Sequence, residues 1–162
     1  WHIALMAMTL AEYVPFEIDL DRVIRMALVH DLVEIYAGDT FAYDTAGYQS
    51  KDERENEAAD KLFSLLPMEQ SSVYRALWEE FDAMQTPDAI YTSAIDRLQP
   101  FINNTLTDGH TWVLHGVTVD QIYKRMSIVK EALPDLWEYV ESVIDENLKA
   151  GRIKPAPSDP SV

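Results

Sequence analysis

Apolar residues recur every three to four positions along most of the chain, and no run alternates convincingly between apolar and polar. That periodicity predicts an all-α, compact multi-helix bundle of about five to seven helices with no sheet. Residues 1–14, WHIALMAMTLAEYV, are apolar on nearly every side, the pattern of a buried central helix, and Pro15 ends it. Asp19 is a candidate N-cap for the next helix, with Arg22 rather than Glu at the capping-box position. From Leu20 the spacing Val23, Ile24, Ala27, Leu28 carries a helix to Ala37, and Gly38 stops it. Residues 1–14 and 23–36 are expected to pack together as a central buried pair.

Residues 38–50 show no periodicity and read as a loop. The stretch 51–66 is charged at first, then amphipathic, with Ala58, Leu62, Leu65 and Leu66 on one face and Pro67 closing it. Residues 69–84 place Val73, Leu77, Trp78 and Phe81 at helical spacing. Thr86-Pro87 has the form of a helix start with proline at the first helical position. That helix runs through Ile90, Ala94, Ile95, Leu98 and Phe101 towards Asn104, and Pro100 stands where it can kink or interrupt it. Residues 105–117 predict a polar connection around Gly109 and Gly116, followed by helices over about 118–132 and 135–149, separated by Pro134. Residues 1–150 therefore read as one domain, and the proline-rich end at 151–162 as a tail. There is no internal repeat.

Composition narrows the function classes. The 162 residues suit one domain with a sizeable core. The chain has no cysteine, so disulfides, thiolate metal sites and cysteine nucleophiles are excluded. It has no apolar run long enough to span a bilayer and no signal peptide, and a cytoplasmic location is expected. With 28 acidic and 13 basic residues, the net charge is -15, which disfavours binding to a nucleic acid duplex. A small anionic substrate stays open, because a divalent cation inverts the local field. The sequence opens at Trp1, without methionine and inside a helical pattern, and a natural segment upstream of it is expected.

The segment ALVHDLVEIYAGD, Ala27 to Asp39, sets His30, Asp31, Glu34 and Asp39 in an otherwise apolar stretch. On a continuous helix His30 and Glu34, four apart, share a face, and Asp31 converges from the side. Buried carboxylates are costly unless paired or bound to a metal, and His nitrogen with Asp oxygen suits a first-row divalent ion. A lone His-Asp pair is unspecific, however. His30 also reads as a hydrogen-bonded core histidine, and Asp39 as an ordinary turn residue beside Gly38. Asp96, in YTSAIDRLQPF, is a second carboxylate in an apolar frame. Its alternative partner is an arginine such as Arg97, although adjacent residues on a helix do not face each other. His110 and His115, with Trp112 between them, read either as a cover over a pocket or as an exposed loop with Trp112 in the core. Trp78, Phe81 and Trp137 read as core packing.

These motifs in this order resemble the HD-domain metal-dependent phosphohydrolases. The string HDLVE, three residues, then GD is similar to the 5'-deoxynucleotidase branch, as are ALVHD, ERENEAADKLFSLLP, LWEEF and AIDRLQPF. The resemblance covers roughly residues 1–132. It implies His30, Asp31 and Asp96 as ligands of one divalent ion, with Mn, Co, Fe, Zn and Mg all open, and Glu34 as the acidic catalytic residue. Asp39 would line the nucleotide pocket with Thr40 beside it, and Arg97 is a candidate for the phosphate. The family's first ligating His aligns three residues before His2, outside this sequence, so His2 reads as a pocket residue or a substitute ligand. His115 is a further pocket candidate. The implied activity is hydrolysis of (deoxy)nucleoside 5'-monophosphates, and the implied assembly a homodimer. A non-catalytic nucleotide- or metal-binding sensor module is the competing reading, and a purely structural helical protein a third.

Overall fold

The computed structural model describes residues 1–43 and 47–157. Its elements are helical and follow the apolar periodicity: α1 (His2–Leu10), α2 (Leu20–Val29), α3 (Glu34–Ala37), α4 (Lys51–Phe63), α5 (Met68–Ala83), α6 (Pro87–Leu106), α7 (His110–His115), α8 (Val119–Ala132) and α9 (Trp137–Lys149). Short 3₁₀ turns cover Ala11–Tyr13, Gly47–Ser50 and Pro134–Leu136. Among the described residues the only β pairing is an isolated bridge between Thr118 and Lys154.

Local chemistry sets the helix boundaries. Asp19 accepts a hydrogen bond from the Arg22 backbone N–H at 3.2 Å and caps α2 as its position predicts. Thr86 does the same for α6 through Ala89, with Pro87 in the first turn. Pro100 lies within α6 without ending it. Gly109 and Gly116, at φ of 68° and 62°, adopt left-handed backbone at the two ends of α7. They make residues 110–115 a helix where a polar connection is expected.

The long helix α6 organises the core. Tyr91, Ala94, Ile95, Leu98 and Phe101 are buried and join residues of α1, α2, α8 and α9 in one cluster. Each large apolar side chain so enclosed contributes roughly 1.5–3 kcal/mol. The first two helices pack on each other as expected, and both rest on α6. The Tyr91 hydroxyl fastens this arrangement by donating to the Ala7 carbonyl oxygen at 2.8 Å.

The nine α-helices among the described residues exceed the five to seven expected, α7 being one of the additions, and three further expectations change. Helix α1 is not enclosed all round: Ala4 and Ala7 are buried, while Leu5 and Met8 face solvent. The helix expected to run unbroken to Ala37 stops at Val29, and residues 30–33 form a turn before α3. Within that turn the bonds tighten to three-residue spacing, Leu32 to Val29 and Glu34 to Asp31, each at 3.0 Å. The expected tail is anchored at its start. Ile153 is buried, and Lys154 bonds Val117 and Val119 through its backbone. Residues 158–162 lie outside the described residues. No helix among the described residues is long and apolar enough to cross a membrane.

Candidate metal centre and cavity

The turn that interrupts α2 presents the chemistry. His30 occupies the C-cap of α2 and is buried, with Asp31 next to it on the exposed side. Asp96 enters from the middle of α6. The His30 Nδ1 lies 3.0 Å from the Ala27 carbonyl oxygen, so an N–H at Nδ1 donates there and leaves the Nε2 lone pair to the cavity. Nε2 is 3.0 Å from Asp31 Oδ1 and 3.4 Å from Asp96 Oδ1. Despite that proximity it is buried with no hydrogen bond of proper geometry among the described residues. A nitrogen lone pair aimed at two carboxylates, all ligating atoms within 4.8 Å of one another, is a donor set that fits a divalent cation.

Electrostatics point the same way. Burial works against a charged His30 ring, but the adjoining Asp31 and Asp96 carboxylates outweigh it and raise its pKa to about 9. A proton on His30 thus stands in for the positive charge that the cluster demands. Glu34, at the start of α3, is pushed up to about 7 by burial first, then by Asp31, Asp39 and Glu55. Phe81 of α5 packs its ring 4.6 Å from that of His30.

These residues open onto a cavity of about 600 Å³. Of the residues singled out in the sequence, His30, Asp31, Glu34, Asp39, Thr40, Asp96 and Arg97 line it. Arg97 donates to the Arg125 carbonyl oxygen at 3.3 Å and to Met84 sulfur at 3.1 Å. Arg54 of α4 braces the approach by donating to the Ala37 carbonyl oxygen at 2.6 Å and to Thr40 Oγ1 at 2.9 Å. His2 does not join the cluster. Its Nδ1 meets the Gln99 side-chain nitrogen at 3.2 Å, and Gln99 lines the cavity. His115 stacks on Phe41 with ring centroids 4.0 Å apart, and Phe41 lines the cavity with Tyr43 and the buried Trp112.

Sequence reasoning missed several wall residues. Phe81 was legible only as core packing, and Phe41 and Tyr43 sit in a stretch without periodicity. Lys51, Ser93 and Arg125 also line the cavity. For Ser93 there was a signal, because it lies three residues before Asp96 and shares its face of α6.

Comparison with known proteins places this architecture. A family model described as HD domain matches residues 1–137. The chain is 30% identical over 99 residues to 5'-deoxynucleotidase HDDC2 of Homo sapiens, covering 61% of this chain and 47% of that protein. It is 34% identical over 79 residues to the Bos taurus protein of the same name, covering 49% and 38%. The matches thus span less than half of those relatives' length. A crystal structure described as a predicted metal-dependent phosphohydrolase from Magnetospirillum magnetotacticum superposes with a TM-score of 0.90 at 45% identity, covering 96% of this chain and 78% of that one. Together with the His30-Asp31 pair at the helix break and Asp96 opposite it, these matches show that the chain belongs to the HD domain family.

Proposed function

We propose that the chain is a metal-dependent phosphomonoesterase that hydrolyses (deoxy)nucleoside 5'-monophosphates to nucleoside and phosphate. The observation that carries this reading is the convergence of His30, Asp31 and Asp96 beside the half-buried Glu34 on one cavity. The 5'-deoxynucleotidase names of the curated relatives and the phosphohydrolase description of the structural neighbour support it.

His30, Asp31 and Asp96 would hold the ion. Such an ion lowers the pKa of bound water and offsets negative charge on phosphoryl oxygens. Glu34 is the proton-handling group. Half-buried beside the ligand carboxylates, it can orient the attacking water or protonate the departing 5'-oxygen. Asp39 and Thr40, the latter held by Arg54, would bind the sugar, with Asp39 accepting from a hydroxyl. Arg97 belongs to the phosphate side. The aromatic wall of Phe41, Tyr43 and Trp112 offers a face for a base. The partner is a small nucleotide, and the resemblance suggests a homodimer.

The test is phosphate release from a panel of ribo- and deoxyribonucleoside 5'-monophosphates with Mn, Co, Zn or Mg supplied. Metal-dependent turnover with a preference for deoxy forms is expected. Absence of turnover with every nucleotide and every ion would overturn the reading.

A further inference from the structure

Ser93 is 1% exposed, lines the cavity, and its hydroxyl has no hydrogen-bond partner among the described residues. That is unusual within a helix. Serine and threonine there commonly spend the hydroxyl on a carbonyl one turn back. Thr92, its neighbour, does so on Asp88 at 2.7 Å, and Ser72 on Met68 at 2.6 Å. Ser93 alone of the three keeps an unspent donor. An unmet buried hydroxyl costs stability, and the cavity that Ser93 lines is where a partner for it can be supplied.

Arg125 of α8 lines the same cavity and is half-buried. Among the described residues it has no carboxylate within ion-pair distance. Its carbonyl oxygen accepts from Arg97, which joins two arginines where α6 meets α8. Elsewhere the wall is acidic. Asp31, Glu34, Asp39, Asp52, Asp82 and Asp96 all line it, and the third cation on the wall, Lys51, pairs with Glu55 at 3.1 Å. A phosphate dianion entering such a cavity needs inward-facing donors to offset that field.

We propose that the Ser93 hydroxyl and the Arg125 guanidinium hold the phosphoryl oxygens of the substrate, so that this side of the cavity is a receptor for a phosphate dianion. The assignment rests on the phosphomonoesterase reading and names two binding residues for it. A planar guanidinium matches two phosphoryl oxygens, and a serine hydroxyl donates to a third.

The experiment is calorimetric binding of inorganic phosphate to the full chain, loaded with whichever of Mn, Co or Zn binds it best. Ser93→Ala, Arg125→Met and Arg125→Lys are compared with the unaltered protein, and metal affinity and thermal stability are measured alongside. Ser93→Ala is expected to weaken phosphate binding by roughly ten-fold, the effect of one hydrogen bond to a charged oxygen. Its melting temperature should be unchanged or higher, because no existing bond is broken. Arg125→Met should weaken phosphate by at least about ten-fold, and Arg125→Lys should restore part of the loss. Undiminished phosphate affinity in Ser93→Ala or Arg125→Met overturns the proposal, as does failure of the unaltered protein to bind phosphate. Failure of the nucleotidase reading looks different: phosphate binds as described, but no nucleotide is turned over.

Discussion

The His30 Nδ1 is held 3.0 Å from the Ala27 carbonyl oxygen, and this single contact aims the opposite ring nitrogen at Asp31 and Asp96. The orientation of the ring is thus set by the last turn of α2 before any cation arrives. His30→Ala should lower affinity for divalent metal by roughly 100-fold or more, since even loss of a group that merely orients a ligand costs 10–100-fold. Titration with Mn or Co, followed by equilibrium dialysis, reads this directly. Metal affinity equal to that of the unaltered chain would remove His30 from the site.

The raised pKa of His30 gives the metal-free chain a definite pH response. Its folded value of about 9 exceeds the ordinary histidine value of 6.5, so the charged ring stabilises the fold. That contribution is fully present below about pH 6.5 and is lost as pH rises through about 9. Metal-free protein should therefore lose stability across this window in denaturant melts. Metal uptake must displace the proton, so affinity should rise with pH over the same range. Calorimetry in buffers of different ionisation enthalpy should detect proton release at pH 7.

Glu34 responds to pH in the same direction, but through a charged form that the fold disfavours. Its folded value of about 7 lies above the ordinary glutamate value of 4.5, so ionisation opposes folding. In the metal-free chain that cost is absent below about pH 4.5 and complete above about pH 7. Glu34→Gln should accordingly stabilise the metal-free chain at pH 8 and leave it little changed at pH 4.5. The same variant should keep metal and lose roughly 10²–10⁴-fold in turnover. Undiminished turnover would take Glu34 out of the mechanism, whatever happens to stability.

Arg54 ties α4 to the backbone that carries Asp39 and Thr40. Removing it as Arg54→Met breaks bonds at Ala37 and Thr40 without touching the His30 cluster. We expect KM for a nucleotide to rise roughly ten-fold, as for loss of a charged hydrogen bond, with metal affinity unchanged. A variant with unaltered KM would show that this brace does not position substrate.

Tyr91 offers a test of the core alone. Burial pushes its hydroxyl above the ordinary phenol range, and it donates to Ala7 at 2.8 Å. Tyr91→Phe should cost about 1 kcal/mol, read by urea denaturation, with little effect on metal affinity.

Much of this organisation was legible in the sequence because it depends on short-range rules. The caps at Asp19 and Thr86 are local hydrogen bonds, and the buried face of α6 follows from spacing. Asp96 stood out because a carboxylate in an apolar frame is costly. The break at His30 was not legible. Apolar periodicity continues through residues 30–33, and no glycine or proline marks the turn. The exposed side of α1 was hidden for the converse reason: composition tells that Leu5 and Met8 are apolar, not what covers them. Arg125 and Phe81 enter the cavity wall through contacts between helices distant in sequence, which periodicity within one helix does not encode.

The meeting of Asp31 and Asp96 on one histidine nitrogen has a mechanical consequence. The two aspartates are 65 positions apart (96 − 31), and between them lie α3, α4, α5 and the first half of α6. A cation gripped by both would act as a removable clasp on that loop, as a crosslink does, except that chelator opens it. Supplying the ion should then raise the melting temperature in step with the logarithm of ion concentration. The site would thereby be a fastener of the fold as well as a place for chemistry.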